Sequence, residues 1–157
     1  MMDLGVQTLD LAMWMLGFPK TTSICTHFHS MEGMEVEDSA AIIVRLANGG
    51  AITLTVSWSL VADRDRHYMR LLGSRGSGAI APLGVFKEVE HGLLDVTPVL
   101  AGGRENVYNT SYRNQLSQFA AACLGQVEQQ LPRDQVGLMR LVGCAYQSAL
   151  EGREIET

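Results

Sequence analysis

Three polar residues stand at helical spacing in an apolar stretch near the start of the chain. Asp3, Gln7 and Asp10 are four and three residues apart, so a helix presents them on one face. Apolar residues form the other side of this helix: Leu4, Leu9, Leu11, Ala12, Met15 and Leu16. The amide of Gln7 can hold a hydroxyl or carboxylate group, but it has no proton that titrates near neutral pH. The pattern predicts an amphipathic helix whose polar stripe faces solvent or a cleft, while helix-start stabilisation by Asp3 and simple solvation of Asp10 remain alternatives.

A second set of polar residues alternates along the next element. Cys25, His27 and His29 are two residues apart, which places all three on one face of a strand. Such residues can bind zinc or a similar ion. However, same-face neighbours lie about 6 to 7 Å apart along a strand, which is wide for three ligands of one ion. We therefore expect polar residues on an open sheet face and no metal, with His67 and His91 on the surface.

Hydrophobic periodicity and turn residues predict the elements that carry these groups. The first helix ends at Gly17-Phe18-Pro19, and strands follow over Thr21 to Ser30 and Asp38 to Leu46. Asn48-Gly49-Gly50 predicts a tight hairpin turn. The strand after it places Ile52, Leu54, Val56, Trp58 and Leu60 in the core and Thr53, Thr55, Ser57 and Ser59 on the other face.

The second half of the chain predicts short strands and then two helices. The strands are expected at His67 to Leu72, Gly78 to Ala81, Val85 to Glu90 and Leu93 to Val96, and a polar loop at Ala101 to Asn109. The helix at about Ser111 to Leu124 is expected to bury Tyr112, Leu116, Phe119, Ala120 and Cys123. The helix after Pro132, with Asp134 as its N-cap and Gly152 at its end, is expected to bury Leu138, Leu141, Val142, Ala145 and Ala149. This order predicts an α+β fold, an open-faced and predominantly antiparallel sheet with helices on one face.

Composition restricts the classes of function. A chain of 157 residues with 46% hydrophobic residues suits one globular domain, residues 1–157, with a real core. The net charge of -5 provides no basic surface for nucleic acid. No basic region precedes the first apolar stretch and no apolar run is long enough to span a membrane, so we expect neither a signal peptide nor a membrane anchor. Its three dispersed cysteines fit a reducing compartment, so we expect a cytoplasmic protein.

The stretch Asp3-Leu4-Gly5-Val6-Gln7-Thr8-Leu9-Asp10 resembles the D-x-G-x-H-x-x-D signature that opens the second domain of the Gfo/Idh/MocA oxidoreductases. Further resemblance extends over nearly the whole chain, through Glu37-Asp38-Ser39-Ala40-Ala41, Leu46 to Gly50, Leu72 to Ser77, Tyr112 to Phe119 and Tyr146 to Ala149. Gln7 departs from the signature because the family has histidine at this position.

The resemblance implies the C-terminal substrate-binding and oligomerisation domain of an NAD(P)-dependent oxidoreductase for a sugar, polyol or similar hydroxy compound. It implies Asp3, Gln7 and Asp10 as substrate-binding residues, and Asp3 and Gln7 at the catalytic positions. No G-x-G-x-x-G follows a strand, so NAD or NADP would bind a full-length parent and this chain alone would bind neither and be inactive. The alternative is a non-catalytic ligand-binding or oligomerisation module that retains the fold.

The open sheet face also predicts self-association. Small hydroxylated residues such as Thr53 and Thr55 make a flat face that can pair with its copy about a two-fold axis. The resemblance implies the same, because this sheet commonly forms the subunit interface in the family. We expect a homodimer, with a solvated sheet face as the alternative.

Overall fold

The computed structural model describes residues 1–31, 34–64, 66–99, 106–128 and 132–157. Its elements are α1 (Leu4–Met15), β1 (Thr21–His29), β2 (Ser39–Leu46), β3 (Ala51–Ser57), β4 (Met69–Gly73), β5 (Gly76–Ile80), β6 (Gly84–Val89), β7 (Gly92–Asp95), α2 (Val107–Cys123), α3 (Asp134–Glu151) and β8 (Ile155–Glu156). Within this part of the chain they form two antiparallel four-stranded sheets and three helices, which confirms the predicted α+β class. The chain separates into two compact units, one with α1, β1–β3, α3 and β8 and one with β4–β7 and α2.

The first unit is a sheet with two helices on one of its faces. The strand order is β3-β2-β1-β8, α1 contacts β3, and α3 contacts β1. Burial alternates along β2: Ala40, Ile42, Val44 and Leu46 are buried, and the residues between them are not. The other face of the sheet therefore stays open, as the sequence predicts.

A glycine turn joins β2 to β3 where the sequence predicts it. Gly49 has a φ of +86°, a conformation that glycine adopts without a steric penalty. The N–H of Leu46 donates to the carbonyl oxygen of Gly50 at 2.9 Å, and Asn48 Oδ1 accepts from the N–H of Gly50 at 3.0 Å. This turn fixes the register that pairs Ile42 with Leu54.

The strand after this turn is shorter than predicted. β3 ends at Ser57, where Ser57 Oγ accepts from the N–H of Ser59 at 3.2 Å and turns the chain. Trp58 and Leu60 are 65% and 55% exposed, so the prediction that they belong to the core is wrong. The alternation in the sequence continues to Leu60, but β2 begins at Ser39, opposite Ser57, so the strand pairing ends there.

The second unit contains a four-stranded meander and α2. Its strands follow in sequence order, β4-β5-β6-β7, close to the predicted positions. Helix α2 begins at Val107, four residues before the predicted start, since Asn106 Oδ1 caps it by accepting from the N–H of Tyr108 at 2.9 Å. The predicted polar loop of Ala101 to Asn109 is therefore helical at its end, and its residues 101–105 lie outside the described residues.

Helix α2 does not bury the face that its sequence predicts. Against the described part of the chain none of its residues is buried, and Tyr112, Leu116 and Phe119 are 51%, 66% and 65% exposed. Ala120 and Cys123 are exposed as well, so the predicted burial of all five is wrong. Periodicity identifies an apolar helix face, but it does not identify a surface that covers it.

Helix α3 closes the first unit. Leu138, Leu141, Val142 and Ala145 are buried as predicted, whereas Ser148 is buried and Ala149 is only half-buried. The N-cap is Arg133, so Asp134 is the first helical residue and not the cap. Gly152 ends the helix with a φ of +63°, and the chain then adds β8 to the edge of β1, a strand that the sequence did not predict.

Candidate functional site

The polar stripe predicted on the first helix is present on α1. This helix buries Gly5, Leu9 and Met13, four residues apart, and thereby turns Asp3 and Gln7 outward, where both are exposed. Gln7 Nε2 donates to Asp3 Oδ1 at 2.9 Å. The pair keeps one carboxylate oxygen, one amide oxygen and one amide N–H for a ligand, which suits neighbouring hydroxyl groups.

Asp10 lies on the same helix face but is half-buried. Its Oδ1 accepts from Gln135 Nε2 at 2.9 Å, and Gln135 stands in the first turn of α3. This bond links the polar stripe to the second helix of the sheet layer. Gln135 is separated from Asp10 by 125 residues, so no local pattern in the sequence indicates it.

A hydrogen-bonded corner stands beside the start of α1. Glu37 Oε1 lies 2.6 Å from the nitrogen of Met1 and also accepts from the Tyr146 hydroxyl. Burial raises the pKa of Glu37, but the bonds from Met1 and Tyr146 outweigh this effect and the pKa is lowered overall. Burial and the Glu37 carboxylate raise the pKa of Tyr146 to about 12. The Tyr146 ring meets Phe28 edge to face at 5.0 Å, so α1, β1 and α3 are joined at this corner.

The neighbouring carboxylate of Asp38 has a different environment. Asp38 is 6% exposed, and neither of its carboxylate oxygens has a hydrogen-bond partner within the described residues. Its backbone is fixed, because its N–H donates to the carbonyl oxygen of His29 at 3.0 Å and its carbonyl oxygen accepts from Trp58 at 2.8 Å. Neither Glu37 nor Asp38 was singled out as a site residue from the sequence.

The predicted Cys-x-His-x-His row lies on the open sheet face. Cys25, His27 and His29 are all exposed, opposite Ile43, Ala41 and Ser39 of β2. No three His, Cys, Asp or Glu residues are grouped for a metal ion in the parts of the chain that the structure describes. The row shares this exposed face with Ile43 and Ala41 of β2. All three cysteines are free, and Cys144 is half-buried while Cys25 and Cys123 are exposed.

Two other features are not suited to a ligand. The glycine-rich stretch at residues 73–78 is the turn between β4 and β5, and a Cβ on Gly76 would lie 2.4 Å from the carbonyl oxygen of Phe86. The close approach of β5 and β6 therefore explains this glycine, and a bound phosphate group is not needed to explain it. An open cavity of about 700 Å³ lies along β8, but its Arg45 and Glu154 are already paired at 3.3 Å.

The sequence matches a known domain in its first half. Residues 1–78 match the family model described as the GFO/IDH/MocA C-terminal domain. Over these residues the chain belongs to the Gfo/Idh/MocA C-terminal domain family. The match contains α1 with its polar stripe, the hairpin of β2 and β3, and the first strands of the second unit. The resemblance that begins at Asp3 is thereby confirmed.

More distant relatives match over nearly all of the chain. D-glucoside 3-dehydrogenase of Escherichia coli strain K12 is 22% identical, over 99% of this chain and 48% of that protein. A levoglucosan dehydrogenase solved with NADH and levoglucosan has a TM-score of 0.75 at 16% identity, over 99% of this chain and 49% of that one. The aldose-aldose oxidoreductase of Caulobacter crescentus, solved with glycerol, has a TM-score of 0.72 at 17% identity, over 99% and 47%.

These matches define the fold and the extent of the similarity. At such identities the solved structures establish a shared fold, that of the C-terminal half of a Gfo/Idh/MocA oxidoreductase. The chain spans about half the length of the relatives that it matches. Among its described helices, none has the length and apolar character that crossing a membrane requires.

Proposed function

We propose that residues 1–157 act as the C-terminal substrate-binding and oligomerisation domain of an NAD(P)-dependent oxidoreductase for a sugar, polyol or similar hydroxy compound. The observation that carries this proposal is the exposed Asp3–Gln7 pair on α1, with Asp10 beside it, inside the segment that matches the family. Relatives with twice this length include a D-glucoside dehydrogenase, which favours a carbohydrate substrate. Three free cysteines favour a cytoplasmic location.

The described residues offer hydroxyl-binding groups for a substrate, and none of them forms a cradle for a dinucleotide. The one glycine-rich stretch of the sequence is a strand turn, so a separate domain has to hold the NAD(P) phosphates. NAD(P), when held by that domain, would supply the hydride acceptor for the substrate carbon. Asp3 and Gln7 hold and orient the substrate hydroxyls, and Gln7 cannot take up the proton that is released. Asp3 is the candidate proton acceptor of the stripe.

Turnover by the intact polypeptide that carries this chain tests the proposal. We expect reduction of NAD or NADP with at least one member of a panel of aldoses, polyols and glucosides. Asp3→Asn should lower kcat by about two orders of magnitude or more, because it removes the candidate base without changing the shape of the side chain. The 157-residue chain alone should bind neither cofactor, and a micromolar Kd in calorimetry would refute that assignment.

A specific observation favours a second candidate function. Gln7 replaces the histidine of the family signature, and its amide is bonded to Asp3. A module that binds a sugar without transforming it would keep the hydroxyl-binding groups and lose the titratable imidazole. Saturable sugar binding without any reduction of NAD or NADP by the intact polypeptide would favour this module.

We also propose that the protein is a homodimer through the open sheet face. Thr53 and Thr55 of β3 and Ile43 of β2 are exposed there, and Ile43 pairs directly with Thr53. A flat face of hydroxyl groups with apolar neighbours can pack against its own copy. Thr55→Arg should weaken the dimer by about 2–5 kcal/mol, since it places like charges near the axis.

Sedimentation decides between the dimer and a solvated sheet. Gln147→Arg is the matched control, because Gln147 is an exposed residue of α3 outside this face. A wild-type monomer at tens of micromolar, or equal association of the two variants, would exclude this face as the interface.

A further inference from the structure

Trp14 is an exposed aromatic residue on the polar face of α1. It follows Asp10 by four residues and Gln7 by seven, which are one and two helical turns. Its side chain is 66% exposed, although α1 buries Leu9 and Met13 on its other face. Trp14 therefore belongs to the stripe of Asp3, Gln7 and Asp10 and not to the core.

The stripe changes character along the helix. Its first half offers the carboxylate and amide groups of Asp3 and Gln7, and its last turn offers the indole ring of Trp14. Gln7 and Trp14 are about 10 Å apart along the axis at 1.5 Å per residue. One pyranose ring cannot reach both, so a ligand that uses the whole stripe extends beyond one ring.

We propose that Trp14 stacks on the second ring, or the aglycone, of a glycoside whose first sugar is held by Asp3 and Gln7. This inference rests on the proposed function and adds a substrate class to it. Sugar rings carry hydroxyls at their edge and apolar C–H groups on their faces, and an exposed indole provides a large flat apolar surface for such a face. The carboxylate and amide groups fit the hydroxylated edge of the first ring.

Charge and hydrogen bonding favour a glycoside over a protein partner at this stripe. A protein packed on Trp14 would also cover the exposed carboxylate of Asp3, whose desolvation requires a matched donor. A hydroxylated ligand supplies such donors itself. Leu11, which the sequence places on the apolar side of the helix, is 40% exposed and stands three residues before Trp14, so it lies beside the indole on the helix surface.

The two tryptophans of the chain provide the test. Trp58→Phe leaves Trp14 as the only tryptophan, and Trp14→Phe leaves Trp58, which is equally exposed at 65%. Both variants of the 157-residue chain are titrated with cellobiose and with glucose while tryptophan fluorescence is recorded. We expect a saturable change for the Trp14 reporter, with half-saturation at a cellobiose concentration at least about tenfold below that for glucose, because only cellobiose has a second ring to stack on the indole. The Trp58 reporter should not respond.

Each other outcome has a defined meaning. No saturable response of the Trp14 reporter, or equal half-saturation by the two sugars, would overturn the role of Trp14. A response of both reporters would also overturn it, since the effect would then not be local. Turnover by the intact polypeptide is measured separately. Preferential binding of cellobiose without turnover would support the role of Trp14 and refute only the proposed oxidoreductase activity. Turnover without preferential binding of cellobiose would refute only the role of Trp14.

Discussion

Ser148 makes the strongest prediction about stability. Its side chain is 0% exposed, and its Oγ accepts from the N–H of Thr26 at 2.9 Å and donates to the carbonyl oxygen of Arg153 at 2.6 Å. β8 pairs with β1 at Ser23 and Ile24, and in the described part of the chain no strand lies beside this edge of β1 at Thr26. Ser148 completes the pairing of β1 at this edge and ties α3 to the chain that enters β8.

Ser148→Ala removes one donor and one acceptor from this buried position. Thr26 is 6% exposed, so its N–H would lose its partner without regaining water, at a cost of about 1–3 kcal/mol. Arg153 is exposed, so water can replace Ser148 at its carbonyl oxygen, and the loss of this second bond adds about 1 kcal/mol. We therefore expect the free energy of unfolding to fall by about 2–4 kcal/mol. For a chain of this size each kcal/mol lowers Tm by roughly 2–4 °C.

Urea unfolding followed by circular dichroism measures this loss. The matched control is Gln147→Ala, the neighbouring residue, whose exposed side chain bonds only Glu151 one turn away at 2.8 Å. That bond contributes about 0.2–0.5 kcal/mol. If Ser148→Ala cost no more than Gln147→Ala, with equal m-values, Ser148 would not be the partner of Thr26 and the reasoning would be refuted.

Three further predictions concern the corner, the core boundary and the stripe. Tyr146→Phe should lower the free energy of unfolding by about 1–3 kcal/mol. Because the pKa of Tyr146 is raised to about 12, this loss of stability should be complete below pH 10 and should shrink between pH 10 and 12. Urea unfolding at pH 8 and pH 11 measures the difference. Leu54→Ala should cost about 2–5 kcal/mol and Trp58→Ala less than about 1 kcal/mol, because Leu54 is 6% and Trp58 65% exposed; equal midpoint shifts would contradict this boundary. Gln7→His in the intact polypeptide should raise turnover or add a titration near neutral pH to the rate profile, and an unchanged profile would mean that another group supplies the proton.

Local patterns predicted the sheet layer of the first unit. The alternation over residues 51–56, the Asn48-Gly49-Gly50 turn and the spacing of Asp3, Gln7 and Asp10 each depend on a few neighbouring residues, and the structure has them where the sequence indicates. Such patterns reflect the period of a strand or helix, which the backbone fixes. The same reasoning placed four of the five core residues of α3 correctly.

The errors arise where a distant partner decides the outcome. Alternation continued to Leu60, but β3 stops where β2 no longer pairs with it. The apolar stripe of Tyr112, Leu116 and Phe119 predicted burial, but no described surface covers it. The bond from Gln135 to Asp10 joins residues 125 positions apart. Only the fold brings such residues together, so single-sequence periodicity cannot indicate them.

The two faces of helix α1 differ: one packs in the core and the other carries exposed polar side chains. Leu9 and Met13 anchor it to the sheet and are almost fully buried, whereas Asp3 and Gln7 face outward and their side chains bond each other. A substitution at Gln7 therefore changes the polar face of α1 without disturbing the anchor, because exposed helix positions contribute little to packing. The domain therefore keeps the Gfo/Idh/MocA fold with glutamine in place of the signature histidine, and the fold alone does not decide between dehydrogenase and binding module.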